Sequence, residues 1–293
     1  MKFFAPLSVG VALLAAQVNA KGVCYDPNHH AVSNNMDATT VAADMAIIKS
    51  HGFTTVRTYI SQFGSTQIGP IIASANLTSA LGVPYPQSDY QVQAAAAIAA
   101  AKAGGVGYIF VGNENLAGAT TVPSDMVKLI KDIKAQVPST VKVGTVQRNT
   151  EVINFSGISG WSNLVGASDV LGVNVHPYFT PGTTASNAIQ VVNDQWTVMK
   201  SSFSDKLVLT ETGWPSDGTL SGNTGTVDGQ ATFFGSYEAW SSSMDESFYF
   251  QIFDTPYKTN AFEKSFGLLT YDSQDKFTFS SQVAGTVAPQ RLR

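Results

Sequence analysis

Short apolar runs alternate with longer segments of helical periodicity along most of the chain. The apolar runs are rich in β-branched and aromatic residues, a composition that predicts buried strands. We predict strands over residues 21–25, 53–59, 79–85, 106–115, 141–146, 168–179, 206–211 and 247–254.

The segments between these runs carry apolar residues three or four positions apart, which predicts amphipathic helices. Helices are predicted over residues 39–51, 89–104, 123–137, 185–203 and 228–244. Residues 39–51 begin with Thr39 or Thr40 as the expected cap. Residues 65–75 predict only a poor helix, because Pro70 interrupts them.

Eight strands alternating with helices favour an α/β fold with a parallel sheet. Their number and spacing match a single-domain (β/α)8 TIM barrel, which typically needs about 250 residues. An open doubly wound sheet is the alternative, but no GxGxxG or P-loop follows any of the strands. In a barrel, catalytic groups lie at the carboxyl ends of the strands.

The first residues have the pattern of a secretory signal peptide. Lys2 precedes an apolar run over residues 7–16, and residues 18–20 form a small-residue cleavage site. We therefore predict a signal peptide over residues 1–20, a catalytic domain over residues 21–293, and a secreted protein of the extracellular space or cell wall. The apolar run is too short to cross a bilayer, which needs about 20 residues, so no membrane span is expected.

Charge and cysteine content narrow the class of protein. The net charge is −4 with no basic stretch, which argues against nucleic acid as a partner. Cys24 is the only cysteine, so a disulfide within the chain is excluded, and its apolar surroundings predict a packed thiol. We expect a monomer that is stabilised by an ordinary core. The sequons at Asn76 and Asn154 are candidate glycosylation sites.

No cofactor or metal is expected from the sequence. His29 and His30 are adjacent, so their side chains diverge, and neither an HxxxH motif nor a pair of cysteines is present. A serine hydrolase of the α/β-hydrolase type would need a GxSxG motif, which is absent.

Polar and aromatic residues concentrate where the predicted strands end, which is the pattern of a site at one face of a barrel. These residues are Tyr25, Arg57, Tyr59, Asn113, Glu114, Asn115, Asn174, His176, Tyr178, Glu211, Trp214, Gln251, Asp254 and Lys258.

Two glutamates stand out among these residues. Glu114 and Glu211 end the fourth and seventh strands, so their carboxyl groups can face each other across a central cleft. Glycoside hydrolysis needs such a pair, one protonated and one ionised. Tyr178 and Trp214 would offer flat surfaces for sugar rings.

A purely structural interpretation stays open for each of these residues. A glutamate at a strand end often serves as an ion-pair partner, and His176 could be a packed histidine. Arg57 could serve only to neutralise a carboxylate, and Trp214 could be a packing corner.

Six motifs resemble family 17 of the glycoside hydrolases. They are GVCY (22–25), VRTY (56–59), VGNEN (111–115), NVHPYF (174–179), LTETGWPS (209–216) and EKSFGLL (263–269). This family consists of secreted (β/α)8 enzymes that cut β-1,3-glucans, with relatives that transfer glucan chains. The matches occur in the family's order and span nearly the whole chain after residue 20.

The resemblance implies a retaining double displacement, with Glu114 as acid/base and Glu211 as nucleophile. Their carboxyl groups should lie about 5–5.5 Å apart. Arg57 and Tyr178 are expected to keep Glu211 ionised, and Asn113 to bind the sugar 2-hydroxyl. The expected substrate-binding residues are Tyr25, Arg57, Asn113, His176, Tyr178, Trp214, Lys258 and Glu263.

One position departs from the family pattern. The family usually has an Asp-Glu pair after the eighth strand, where this chain has Asp254 and Thr255. Lys258 would then lose a partner, although Glu263 could take that place. The departure bears on substrate subsites and pH optimum, not on the two glutamates.

The sequence therefore predicts a secreted enzyme that cleaves internal bonds of β-1,3-glucan, its polysaccharide or oligosaccharide partner. A β-1,3-glucan glucanosyltransferase that uses the same residues is the alternative. A glucan-binding wall protein without catalytic activity is a further alternative from another class.

Overall fold

The chain folds around a parallel eight-stranded sheet. The computed structural model describes residues 22–32 and 36–279, so the predicted signal peptide lies outside the described residues. The eight strands are Gly22–Cys24, Thr55–Arg57, Thr78–Val83, Val106–Asn113, Lys142–Arg148, Val170–Asn174, Leu207–Glu211 and Phe248–Tyr249. Each strand pairs in parallel with the next one along the chain up to the seventh, and the eighth pairs with the first.

The seam between the seventh and eighth strands closes the barrel. A single parallel bridge joins Leu209 to Ser247 there, and the Phe250 amide donates a 2.8 Å hydrogen bond to the Thr212 carbonyl just above. The sheet is therefore a nearly closed barrel, and the predicted TIM-barrel fold is confirmed.

Nine helices surround the strands in the described part of the chain. They are Ala38–Ser50, Ile68–Ser74, Tyr90–Ala103, Ser124–Lys134, Asn149–Ile153, Trp161–Ala167, Ala188–Phe203, Val227–Ser241 and Ala261–Lys264. The five predicted helices are all present.

Two predictions about helix starts were wrong. Pro70 does not interrupt the helix Ile68–Ser74, because it lies in the first turn, where its missing N–H has no partner within the helix. The cap of the first helix is Asp37, whose carboxylate accepts 2.8 Å hydrogen bonds from the amides of Thr39 and Thr40.

The sixth and eighth strands end earlier than predicted. The sixth stops at Asn174 and is followed by a 3-10 turn over Pro177–Phe179, since proline has no N–H to donate to a sheet. The eighth comprises only Phe248–Tyr249. Two short hairpins and three short helices were not predicted, because none of them has a long periodic pattern.

The core has two parts. One cluster, formed by Cys24, Ala80, Phe110, Val146, Val170, Val208 and Phe248, draws on most of the strands and fills the barrel. A larger cluster lies between strands and helices. Cys24 is a free, buried thiol, as expected, and burial raises its pKa to about 12. None of the helices described is long and apolar enough to span a bilayer.

Candidate active site

A cleft of about 400 Å³ opens at the carboxyl ends of the strands, and we call it the main cleft. It contains both glutamates that were predicted to be catalytic. Its lining residues are Asp26, Pro27, Asn28, Tyr59, Ile60, Asn113, Glu114, His176, Phe179, Glu211, Phe250, Gln251, Lys258, Glu263 and Phe266.

Glu211 ends the seventh strand and is held by three side chains. Arg57 donates a 2.7 Å hydrogen bond from Nη1 to Glu211 Oε1, and the Tyr59 hydroxyl donates to the same oxygen at 3.0 Å. His176 Nε2 lies 2.9 Å from Glu211 Oε2. Both carboxylate oxygens are thus occupied, which fixes the plane of the group.

These contacts keep Glu211 ionised. Burial alone would raise the pKa of this carboxyl, but the charge of Arg57 and the hydrogen bond from His176 lower it to about 2. Arg57 is almost fully buried beside it, so little water screens the attraction. The expected help from Arg57 is present, whereas Tyr59 and His176 occupy the place that was expected for Tyr178.

Glu114 lies just beyond the fourth strand in a tight turn. Its φ of 56° is in the left-handed region, and Gly112 before it has a φ of 74°. A side chain at Gly112 would come within 2.2 Å of the Asn115 amide oxygen, so the turn requires glycine there. The turn is anchored where the Glu114 amide donates a 2.9 Å hydrogen bond to the Val146 carbonyl.

The electrostatics of Glu114 are the opposite of those of Glu211. Burial raises the pKa of Glu114, and the negative charge of Glu211 raises it further. A 2.8 Å hydrogen bond from Asn174 Nδ2 to Glu114 Oε1 lowers it only in part. One carboxyl of the cleft is thus held ionised and the other is biased toward its protonated form, the division that a glycosidase needs.

Asn113 and Asn174 link the two glutamates. Arg57 Nη2 donates to Asn113 Oδ1 at 2.8 Å, and Asn174 Nδ2 reaches the same oxygen at 3.3 Å. The Thr210 hydroxyl donates to Asn174 Oδ1 at 2.8 Å, which turns the amide group of Asn174 toward Glu114. The Asn113 side chain is thereby oriented while the residue remains exposed to the cleft.

A second cleft of about 330 Å³ adjoins the main cleft at Glu114, and we call it the second cleft. Its lining residues are Glu114, Arg148, Asn149, Thr150, Asn174, His176, Phe179 and Thr180. Arg148 forms a two-point ion pair with Glu151, with contacts of 2.8 and 2.5 Å.

Four of the residues expected to bind substrate do not line the main cleft, namely Tyr25, Arg57, Tyr178 and Trp214. Arg57 is 2% exposed and contacts Glu211 and Asn113 instead. Tyr25, Tyr178 and Trp214 are at most 1% exposed. The Tyr25 hydroxyl donates to Asp44 at 2.7 Å, and the Tyr178 hydroxyl donates to the Gly218 carbonyl at 2.9 Å. A ring without an exposed face cannot stack on a sugar, so these residues support the cleft from behind.

The aromatic residue that the sequence reasoning missed is Phe179. It is 47% exposed and lines both clefts beside Glu114. Tyr178 and Trp214 instead pack edge to face, with ring centroids 4.9 Å apart. The NVHPYF motif already contained Phe179, but only the turn at Pro177 decides which of the two adjacent rings faces solvent.

Tyr59 and Asn174 were noted at strand ends but were not assigned to the site. Each makes a direct hydrogen bond to one of the two glutamates that were predicted to be catalytic. The signal available for Tyr59 was its position two residues after Arg57, because residues two apart on a strand point to the same side.

The loop after the eighth strand brings Lys258 and Glu263 to the main cleft, as expected. The Lys258 ammonium lies 5.1 Å from the centroid of the Tyr257 ring, and Glu263 Oε2 accepts a 2.8 Å hydrogen bond from Asn260. Thr255, at the position that departs from the family pattern, is buried and donates to the Glu263 carbonyl at 3.1 Å.

Asp254 precedes Thr255 in the chain. It forms an ion pair with Lys276, in which Oδ1 and Nζ lie 2.7 Å apart, rather than with Lys258.

Both candidate glycosylation sites, Asn76 and Asn154, are exposed, and glycan attachment at either stays a prediction. Over residues 22–32 and 36–279, no three His, Cys, Asp or Glu side chains are grouped so that they could hold a metal ion.

Comparison with family models identifies the domain. The model described as the BtgE/BtgC glycoside hydrolase domain matches residues 22–267. A probable β-glucosidase btgE of Aspergillus terreus is 34% identical over 206 residues, which cover 69% of this chain and 36% of that protein. A probable family 17 glucosidase SCW10 of Saccharomyces cerevisiae is 29% identical over 170 residues, covering 56% of this chain and 42% of that protein. The chain spans about a third of the length of the btgE relatives it matches.

Solved structures share the fold. A glycoside hydrolase family 17 β-1,3-glucanosyltransferase from Rhizomucor miehei superimposes with a TM-score of 0.72 at 22% identity, covering 89% of this chain and 97% of that chain. An endo-laminarinase from Formosa also has a TM-score of 0.72, at 16% identity, with coverage of 87% and 84%. The resemblance to family 17 that the motifs indicated is confirmed.

Proposed function

The chain belongs to the BtgE/BtgC glycoside hydrolase family, and we propose that it cleaves internal β-1,3-glucosidic bonds of β-1,3-glucans with retention of configuration. The observation that carries this proposal is a pair of carboxyl groups in one cleft whose surroundings shift their pKa values in opposite directions. Burial and the charge of Glu211 raise the pKa of Glu114, whereas that of Glu211 is lowered to about 2 in spite of its burial, because Arg57 and His176 favour the charged form.

In the first step, Glu114 gives its proton to the glycosidic oxygen while an oxygen of Glu211 attacks the anomeric carbon. The bond from that carbon to the leaving oxygen breaks, and the reducing-side fragment departs as an alcohol. A covalent glycosyl ester on Glu211 remains. Glu114 is left ionised, so it can act as a base in the second step.

In the second step, Glu114 takes a proton from water, and the oxygen of that water attacks the anomeric carbon. The ester bond to Glu211 breaks, and Glu114 regains its proton. Two inversions at one carbon give net retention. We expect the carboxyl groups to lie about 5–5.5 Å apart in the working enzyme, as this mechanism requires.

The hydrogen-bond partners of Glu211 make its two oxygens inequivalent. Arg57 and Tyr59 both donate to Oε1, whereas His176 alone contacts Oε2. Asn113 is exposed beside them, and we propose that its amide binds the sugar hydroxyl next to the anomeric carbon. Phe179 provides the exposed ring on which a glucosyl unit stacks.

Glucan transfer is the second candidate, and the second cleft favours it. A sugar that occupies this cleft lies next to Glu114, the base that would deprotonate its hydroxyl. Such a sugar would compete with water for the glycosyl ester. The family 17 glucanosyltransferase from Rhizomucor miehei shares the fold.

Product analysis separates the two candidates. The protein and its Glu211→Ala variant are incubated with linear β-1,3-glucan oligosaccharides, and the products are followed by mass spectrometry. Shorter products from the wild type alone support hydrolysis with Glu211 in the chemistry, and additional longer products support transfer. Binding without any turnover would contradict both candidates and favour a glucan-binding protein.

We also propose that the protein is secreted and acts at the cell wall or outside the cell. This rests on the amino-terminal sequence pattern. Mass spectrometry of the secreted protein tests it, and a mature chain that starts at residue 21 is the expected result.

A further inference from the structure

The two clefts meet at Glu114, but only the main cleft contains Glu211. In a double displacement the nucleophile bonds to the sugar that is retained, and the acid protonates the oxygen that leaves. The main cleft therefore holds the non-reducing part of the substrate, and the second cleft lies on the leaving-group side. This assignment, and the inference built on it, rest on the proposed function.

The far end of the main cleft is built from two neighbouring loops. Asp26, Pro27 and Asn28 follow the first strand, and Lys258 and Glu263 follow the eighth. The second cleft lies above the fourth to sixth strands, on the opposite side of the ring in the order of the sheet. A glucan chain that crosses both clefts therefore points its non-reducing end at these two loops.

A hydrogen bond joins the two loops at the rim. The Tyr257 hydroxyl donates to Asp26 Oδ2, and the Asn28 amide donates to Asp26 Oδ1 at 2.8 Å. The Lys258 ammonium lies against the ring of Tyr257. Both oxygens of Asp26 are thus engaged, and the two loops form one continuous wall.

Each loop is anchored from below, so the wall is formed before substrate binds. His29, next to Asn28, lies 2.9 Å from the buried Asp44 carboxylate, and its ring stacks on Phe253 at 4.2 Å. On the other side, buried Thr255 donates to the Glu263 carbonyl.

We propose that the Asp26–Tyr257 hydrogen bond ends the main cleft and thereby sets how many glucosyl units are accepted on the non-reducing side of the cleaved bond. A longer non-reducing segment has to break this bond or pass over it. The internal bond that is cut then lies preferentially at a fixed number of glucosyl units from the non-reducing end of the β-1,3-glucan.

Product analysis of the active enzyme tests the position of the cut. The substrates are linear β-1,3-glucan oligosaccharides of increasing length, each labelled at the reducing end with ¹⁸O. Removal of the hydroxyl in Tyr257→Phe, or of the carboxylate in Asp26→Ala, is expected to shift cleavage toward longer non-reducing fragments. We expect the ratio of longer to shorter fragments to rise about fivefold, which is equivalent to about 1 kcal/mol. Tyr271→Phe removes the hydroxyl of a comparably exposed tyrosine outside the main cleft and should leave the cut where it is.

Binding gives a second readout that does not need turnover. In a Glu114→Gln background, calorimetry should show that affinity stops rising with oligosaccharide length, and that Tyr257→Phe extends the rise to longer chains. A cut position and a length dependence that do not change in either rim variant would overturn the inference. The non-reducing part of the substrate would then extend into the cavity of about 200 Å³ that lies above the second to fourth strands.

Failure of the proposed function would look different. Absence of both turnover by the wild type and binding by the Glu114→Gln protein would overturn the proposed function and this inference together. Turnover with an unchanged cut in the rim variants would overturn this inference alone.

Discussion

Arg57 and Glu211 form a buried ion pair in which Nη1 and Oε1 lie 2.7 Å apart. Arg57 also donates to the Thr210 carbonyl at 2.9 Å and to Asn113 at 2.8 Å. Three of its contacts thus fix groups at the ends of the fourth and seventh strands. The same guanidinium that orients Glu211 also keeps it charged.

Arg57→Gln should therefore move the acid limb of the kcat/KM profile to higher pH. The pKa of Glu211 is lowered to about 2 in the wild type, and loss of the positive charge raises it. Because the proposed mechanism requires Glu211 in its ionised form, activity is then lost at a higher pH on acidification. A shift of about one to three pH units is expected.

Arg57→Lys keeps the charge and should shift the acid limb less than Arg57→Gln does. Circular dichroism establishes that both variants are folded. An acid limb in Arg57→Gln that coincides with that of the wild type would contradict the role of the ion pair.

Asn174→Ala should move the alkaline limb of the kcat/KM profile to higher pH. The Asn174 amide donates to the ionised form of Glu114, so its removal raises the pKa of Glu114 further. Glu114 must be protonated in the first step, and activity should therefore persist to higher pH, by less than about one unit.

Thr210→Val is the matched variant, because the Thr210 hydroxyl orients Asn174 without touching Glu114. We expect a smaller shift of the alkaline limb with the same sign. A downward shift in either variant would contradict this account of Glu114.

Phe179 and Trp214 should respond oppositely to truncation. Phe179→Ala removes an exposed ring and should raise KM about three- to tenfold, since roughly 1 kcal/mol of apolar contact with the sugar is lost. Its melting temperature should stay near that of the wild type. Trp214→Ala removes a buried ring and should lower the free energy of unfolding by about 3–5 kcal/mol. Equal thermal destabilisation of the two variants would show that Phe179 is a packing residue.

The Asp254–Lys276 pair should stabilise the loop after the eighth strand only as a pair. Burial raises the pKa of Asp254 and lowers that of Lys276 in spite of their mutual attraction, so each charge is costly when it is alone. Lys276→Met should destabilise the protein by about 1–3 kcal/mol.

The double variant Asp254→Asn/Lys276→Met should recover part of that loss, because no uncompensated charge remains. Chemical denaturation measures both. A double variant that is as unstable as the sum of the two single variants would contradict a coupling between the residues.

A small nucleophile should rescue Glu211→Ala. The substitution should lower kcat by at least about 10³-fold, because no glycosyl ester can form. Azide that occupies the vacated space can attack the anomeric carbon directly, and the glycosyl azide should have inverted configuration. An azide product of retained configuration would contradict Glu211 as the nucleophile.

Sequence periodicity predicts the barrel well because buried parallel strands are continuous apolar runs. Glu114 and Glu211 could be predicted as candidates because each carboxyl group ends an apolar run and lies in a motif that resembles family 17. The order of the strands around the ring then places both residues at one cleft.

Tyr178 and Phe179 show what the sequence does not contain. They are adjacent aromatic residues, and the 3-10 turn over Pro177–Phe179 buries the first and exposes the second. Hydrophobicity does not distinguish them. The two residues are distinguished only by the direction of the chain after the sixth strand. That direction follows from the packing of Tyr178 against Trp214 and Phe262.

The bond between Tyr257 and Asp26 is also invisible to motif reasoning. These residues are 231 positions apart and meet only because the barrel brings the first and eighth strands together. Thr255 illustrates the same point. The absence of a carboxylate at this position predicts a lost contact. In the structure, the Thr255 hydroxyl instead donates to the Glu263 carbonyl and supports the loop.

The seam between the seventh and eighth strands has a consequence for inactivation by heat. Only the bridge between Leu209 and Ser247 joins the two strands in the sheet, so amide exchange should begin there. Glu211 lies on one side of this seam, whereas Glu114 directly follows the longer, better-paired fourth strand. Warming should therefore spread the two carboxyl groups apart before the molecule melts, and activity should fall at a temperature at which the far-ultraviolet spectrum is still native.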